Sequence, residues 1–180
     1  LDTMIFLNLY GESYPIKTRH ISGEMAITVA ASIAAWLVSK GQSVGLSSNG
    51  MDEIYPSSMS FIPSAKGNFQ LMSILELLAR LQLQDLTSSL HLFEQYRSKL
   101  QWGTTLVLIS GDVTEAVWGE VINAQQAGLE VMIFIIGSNK RYQVIESAAY
   151  QLGIKSTRLA HELDLQTWQR SHQAKSWMRG

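Results

Sequence analysis

The sequence contains no cysteine, which excludes disulfides and thiolate metal sites and fits a reducing compartment. Charge is scarce: Asp, Glu, Lys and Arg make up 16% of the 180 residues, against about 25% in an average soluble domain. The chain therefore has little charge with which to cover its surface. The net charge of −1 gives no bulk electrostatic case for nucleic acid or an anionic membrane. No apolar run reaches the roughly 20 residues of a bilayer span. The longest, Met25 to Val38, has 14 residues and includes Thr28 and Ser32, so a buried helix is the expectation. A charged-then-apolar targeting pattern is missing at the N-terminus. So are a Gly-x-Gly-x-x-Gly turn, a Walker A loop and a Gly-x-Ser-x-Gly elbow. The histidines (His20, His91, His161 and His172) lack metal-ligand spacing, and none stands beside an evident nucleophile. The sequence thus supports no catalytic constellation.

What is present is a core. Apolar residues make up 46%, which rules out intrinsic disorder. A chain of this size buries about 70% of its unfolded surface, enough for one domain, expected over residues 1–165. Strand-like apolar runs are read at 3–9, 42–47, 104–109, 131–136 and 154–159, and an antiparallel edge strand at 58–62. Between them lie helical patterns. The first runs from Glu24 to Lys40, with Ser22 as cap and Gly41 just past the end, and carries no charge between those limits. Others are read at 68–83, from Asp85 onward with Leu86, Leu90, Phe93 and Leu100 inward, after Asp112, and at 142–152. Asp112 and Glu115 have capping-box spacing. Alternating strands and helices, with continuous apolar inner strands, predict a three-layer, doubly wound, mostly parallel sheet with helices on both faces.

Three blocks in order carry a family resemblance: GEMAITVAASIAAWLVSKGQSVGL (23–46), IPSAKGNFQLMSILELLARLQL (62–83) and GTTLVLISGDVTEAVWGEVINAQQAGLEVMIFIIG (103–137). They resemble the C-terminal part of the bacterial domain of unknown function 58 family, over about residues 4–168. The resemblance implies a von Willebrand factor A-like fold. It also implies a longer parent, anchored in the bacterial inner membrane by N-terminal segments, with this domain in the cytoplasm. The start directly in strand-like sequence, without Met, is read the same way. Any membrane contact would then come from that N-terminal region. A MoxR-like AAA ATPase is the partner that the resemblance implies, and no reaction is implied.

Metal-binding A domains hold a divalent ion such as Mg²⁺ with a first-loop Asp-x-Ser-x-Ser, a second-loop Thr and a third-loop Asp. Matched to that pattern, the first loop reads Asn8, Tyr10 and Glu12, the second places Asn68 after Lys66, and the third supplies Asp112. An amide replaces the key carboxylate and a bulky ring replaces a small hydroxyl, while Mg²⁺ requires hard oxygens. Asn8, Glu12 and Asp112 are thus weak ligand candidates, and Asp112 is also read as a helix cap. The strand-end loops, with Asn8, Tyr10, Glu12, Asn49, Asn68, Asp112 and Ser138, form the expected ligand or partner face. Their Gly, Ser and Asn residues are equally ordinary turn formers. The tail, 166–180, carries Arg170, Lys175 and Arg179 with Trp168 and Trp177. Its +3 leaves −4 for the rest of the chain. It either touches a membrane surface or acidic partner, or frays with Trp168 packed on the core.

Two functions follow as expectations: a non-catalytic protein-interaction module, or a divalent-metal-dependent ligand-binding or adhesion domain with a degenerate site. A hydrolase using the same loops is a weaker third.

Overall fold

A computed structural model describes residues 2–56 and 60–177, with side chains as far as Ser171. Ser58, His172, Lys175, Trp177 and Arg179, which entered the expectations, fall outside the residues or side chains described. The strands are β1 (Asp2–Leu7), β2 (Ser43–Ser48), β3 (Met51–Asp52), β4 (Ser60–Ala65), β5 (Leu81–Gln82), β6 (Thr105–Ser110), β7 (Glu130–Ile136) and β8 (Lys155–Leu159). The helices are α1 (Arg19–Ser39), α2 (Asn68–Leu78), α3 (Leu90–Tyr96), α4 (Glu115–Gln126), α5 (Tyr142–Gln151) and α6 (Glu162–Trp177).

The main sheet has the order β4-β2-β1-β6-β7-β8. Every neighbouring pair is parallel except β2–β4, so the sheet is doubly wound and mostly parallel with one antiparallel edge, as expected. Its apolar strands alternate between two cores. Ile5, Leu7, Val107, Ile109, Phe134 and Ile136 face the layer of α1, α2 and α6. Met4, Phe6, Leu106, Leu108, Ile133 and Ile135 face α3, α4 and α5. A period of two puts successive side chains on opposite faces, and burial of both faces explains why the strands read as unbroken apolar runs.

α1 lays Ala26, Ala30, Ile33, Ala34 and Leu37 on the sheet, each 5% exposed or less. It is long and apolar enough to span a bilayer by length and composition, yet its inner face belongs to this core. Thr28 and Ala35 remain exposed on the outer strip, so the missing charge does not mean burial all round. Small side chains leave little apolar surface in water there. Ser22 is not the cap. The helix starts one turn earlier, and Ser22 N donates to Thr18 O at 2.9 Å from inside it.

Two other helices are shorter than their patterns. α2 stops at Leu78 because Leu81–Gln82 pairs with Met51–Asp52 as a separate two-stranded ribbon. Leu81 still reaches the core, from a strand rather than a helix. The stretch from Asp85 is not helical. Gln84 Oε1 accepts from Leu86 N and Thr87 N at 2.6 and 2.7 Å, and Gln84 Nε2 donates to Thr87 O at 2.6 Å. That local turn throws Leu86 out to 92% exposure and delays the helix to Leu90. Side chains that bond nearby backbone compete with helix formation.

The β3–β5 ribbon is fastened by Asp52, 3% exposed, which accepts from Arg80 at 3.3 Å and from Ile54 N at 2.8 Å. The Arg80 guanidinium holds its carboxyl below the usual range, against the opposing effect of burial. Its stabilising contribution is therefore full above about pH 4, where an unfolded Asp is ionised, and is lost as pH falls through the lower folded value. Asp52→Asn should cost about 1–3 kcal/mol at neutral pH and flatten the acid limb of a stability–pH curve. Thermal melts from pH 2 to 7 check this. An unchanged acid limb would show that Asp52 does not govern it.

Candidate functional site

From β1 the chain crosses by α1 to β2 on one side, and from β6 it crosses by α4 to β7 on the other. β1 and β6 are neighbours, so the crevice beyond their carboxyl ends is the topological switch point, where open α/β sheets place ligands.

Asn8, fully buried, is the hub of that crevice. Its Nδ2 donates to Ser13 Oγ and Ser110 Oγ, both at 2.8 Å. Its Oδ1 accepts from Tyr10 N at 3.1 Å and Asn49 Nδ2 at 2.9 Å. The backbone N–H of Tyr10 can only donate, so the amide's orientation is fixed. Asn49, also buried, accepts from Leu9 N at its Oδ1 at 2.8 Å and donates its second N–H to Thr87 O at 2.8 Å. Tyr14 donates its hydroxyl to Asn8 O at 2.5 Å, and burial pushes its phenol far above the ordinary value. Gly111 closes the crevice from the β6 side. A Cβ there would run into the Ser13 carbonyl oxygen and the Tyr14 ring.

Asp112 is half-buried at the rim. Its Oδ2 lies 3.0 Å from Arg141 Nη1, and its Oδ1 accepts from Val113 N at 2.9 Å and Asn139 Nδ2 at 3.2 Å. It does not cap α4. Thr114 takes that position and accepts from Val117 N, so the capping-box reading of Asp112 and Glu115 is corrected. The chain needs two further residues to turn from β6 before the helix can begin. Ser138 is exposed beside Asn139, and Asn139 also donates to Gly111 O at 2.7 Å.

Tyr10 is half-exposed and donates to Glu12 Oε2 at 2.7 Å; that carboxylate raises the phenol above its ordinary value. Asn68 does not join the site. Ala65 pairs with Val44 near the start of β2, so residues 66–68 lie at the opposite end of the sheet from Asn8. An antiparallel edge strand reverses direction, which the loop match overlooked. The second loop over the crevice is 84–87, tied down by Gly11 N to Gln84 O at 2.8 Å and Gln84 N to Leu9 O at 3.0 Å. Sequence reading placed Asn139 in a strand-end loop but missed Ser13 and Arg141. A Gln or Ser in a loop carries no signal of its own, and Arg141 lies 29 residues from the Asp112 it meets.

These residues do not fit the divalent ion that the metal-binding pattern implies. Asn8 turns its N–H groups, not its oxygen, toward Ser13 and Ser110. Glu12 is exposed and bonded to Tyr10, and Asp112 already faces a guanidinium. No cluster of three His, Cys, Asp or Glu occurs among the described residues. Hard cations require several free oxygens, at least one of them usually a carboxylate, and here the Arg141 guanidinium already pairs with the Asp112 carboxylate. Two open clefts lie elsewhere, about 580 Å³ between α1 and α2 and about 650 Å³ between β8 and α6. Ser88 Oγ approaches His91 Nδ1 at 3.4 Å on the exposed start of α3, a contact too long and open for a nucleophile–base pair.

No family model matches the sequence, and a search of curated proteins finds no sequence relative. Solved structures do match in shape. A von Willebrand factor type A protein from Catenulispora acidiphila aligns over 97% of this chain at TM-score 0.62 and 14% identity. The chain spans only 42% of that structure. An aerotolerance-related membrane protein from Bacteroides fragilis, crystallised with multiple mutations to serines, aligns over 88% of this chain and 91% of its own at TM-score 0.57 and 10% identity. Proximal thread matrix protein 1 from the mussel byssus aligns over 91% of this chain and 44% of its own at TM-score 0.60 and 14% identity. The fold is therefore von Willebrand factor A-like. Identities this low speak for the fold alone.

Proposed function

We propose that this domain is a non-catalytic protein-docking module that receives its partner on the carboxyl-end loops around Tyr10, Asn49, Asp112 and Ser138. The observation that carries the reading is the closed network at Asn8. Buried polar groups that satisfy one another make a rigid floor, and a rigid floor with a half-exposed Tyr at its rim suits recognition better than turnover. Tyr is a favoured anchor, and the Asp112–Arg141 pair offers a partner both signs of charge at one point. The von Willebrand factor A-like shape supports an interaction or adhesion role. The sequence resemblance supports a MoxR-like AAA ATPase as partner, and a cytoplasmic place beside the inner membrane for the domain.

Binding of the purified domain to the source organism's MoxR-like ATPase, with and without ATP, tests the proposal. Tyr10→Ala combined with Asp112→Asn should weaken binding about tenfold or more while the melting temperature stays near wild type. Asn at 112 keeps an oxygen for Val113 N and loses only a partly exposed ion pair, a small cost in stability. Undiminished binding by the double variant would count against this face.

A further inference from the structure

The opposite end of the sheet carries a second, unrelated surface. Loops entering the strands there hold Lys40 before β2, Lys66 after the antiparallel β4, Lys99 before β6 and Lys155 at the start of β8, all exposed. The strands' own first residues add two acids, Asp2 and Glu130. The start of α2 adds Phe69, 92% exposed, and the segment before β6 adds Trp102, 85% exposed. Trp102 is exposed yet held. Gly103 N donates to Gly128 O at 2.9 Å, and the indole lies so close to Gly128 (φ +84) that any Cβ there would collide with it. Lys99 is also fixed, its Nζ 4.8 Å from the Tyr96 ring centroid and 5.3 Å from that of Phe61.

Helix dipoles account for part of this pattern, since cations favour helix C-termini and α1, α3, α4 and α5 end here. They do not account for Lys66, which precedes the N-terminus of α2, where a cation is disfavoured. Nor do they account for two aromatic side chains left in water.

We propose that this end docks on an anionic lipid bilayer surface, with Trp102 and Phe69 at the headgroup level and the four lysines over the phosphates. Charge complementarity and shape favour that occupant. The lysines run from the β4 edge to the β8 edge, a width of about 24 Å for six strands. A plane can meet so broad an array, whereas a nucleic-acid backbone would need a continuous basic groove. Aromatic residues with lysines are the composition that binds the membrane interface. Docking here leaves the Asn8 end facing away, so the inference stands whether or not that end binds a protein.

Co-sedimentation of the domain with vesicles of equal parts phosphatidylglycerol and phosphatidylcholine, and with phosphatidylcholine alone, tests this. We expect binding to the anionic vesicles only, weakening as salt rises. Lys66→Glu with Lys155→Glu should reduce it about tenfold or more, as should Phe69→Ser with Trp102→Ser. Lys17→Glu with Lys140→Glu, at the other end, should leave it unchanged. Thermal melts of the lysine variants should match wild type, because those side chains are exposed, and Phe69→Ser with Trp102→Ser, which gives up the indole's contact with Gly128, is assayed well below its own melting temperature. No binding to anionic vesicles, equal binding to neutral ones, or equal loss in the Lys17 and Lys140 control would overturn the proposal. So would capture of a short oligonucleotide in place of vesicles.

Discussion

Ala34→Asp should destabilise the domain by about 4 kcal/mol or more, enough to lower the melting temperature by roughly 8–16 °C in a chain of this length. Ala34 is fully buried on the face of α1 that lies on the sheet, among Ile33, Leu37 and strand residues of the same core. A carboxylate there has no partner and no water, and an unpaired buried charge is among the few causes of so large a loss. Ala30→Asp, one turn away and equally buried, should behave alike. Ala35→Asp is the control. It sits on the exposed strip of the same helix, so its cost should stay within about 0.5 kcal/mol. Calorimetric melts of the three variants decide the matter. Equal behaviour at positions 34 and 35 would mean that α1 does not lie on the sheet.

Asn8→Leu should cost about 3 kcal/mol although leucine has a similar volume. The loss leaves Tyr10 N and one N–H of Asn49 without their acceptor and Ser13 Oγ without its donor, while Ser110 keeps its bonds to Asp112; unmet buried donors carry the full desolvation penalty. Asn8→Asp adds a sharper readout. A protonated Asp can donate to one of the two serines that the amide serves, an ionised one to neither, and burial penalises its charge. Its folded pKa therefore rises above the unfolded value near 4. The deficit against wild type should be smallest below about pH 4 and grow as pH rises through that raised value. A pH-independent deficit would show that water reaches position 8.

The sequence read well where physics is local and periodic. The apolar runs at 104–109 and 131–136 became neighbouring parallel strands because a run buried on both faces has few other fates. It read poorly where a side chain overrides a period. The stripe Leu71, Ile74, Leu75, Leu78, Leu81 has helical spacing throughout, but pairing with Met51–Asp52 takes Leu81 into a strand. The lone Gln84 diverts the chain from Asp85 onward. In the site, Asn8, Tyr10 and Asp112 were legible as residues at the ends of strands. What they do was not legible, because the partners that decide it come from distant loops: Ser110 is 102 residues from Asn8, and Arg141 is 29 from Asp112. Asn68 was misplaced because the loop match ignored the reversal that the antiparallel edge strand itself implies.

Calorimetric titration of the domain with Mg²⁺ and Mn²⁺ tests the central claim, that the strand-end face is a closed docking surface whose cation is Arg141. The account predicts no saturable heat up to millimolar metal, and no change in melting temperature on moving from chelator to metal, since a ligand that binds only the folded state would raise it. Saturable one-to-one binding that Asp112→Asn abolishes would contradict it.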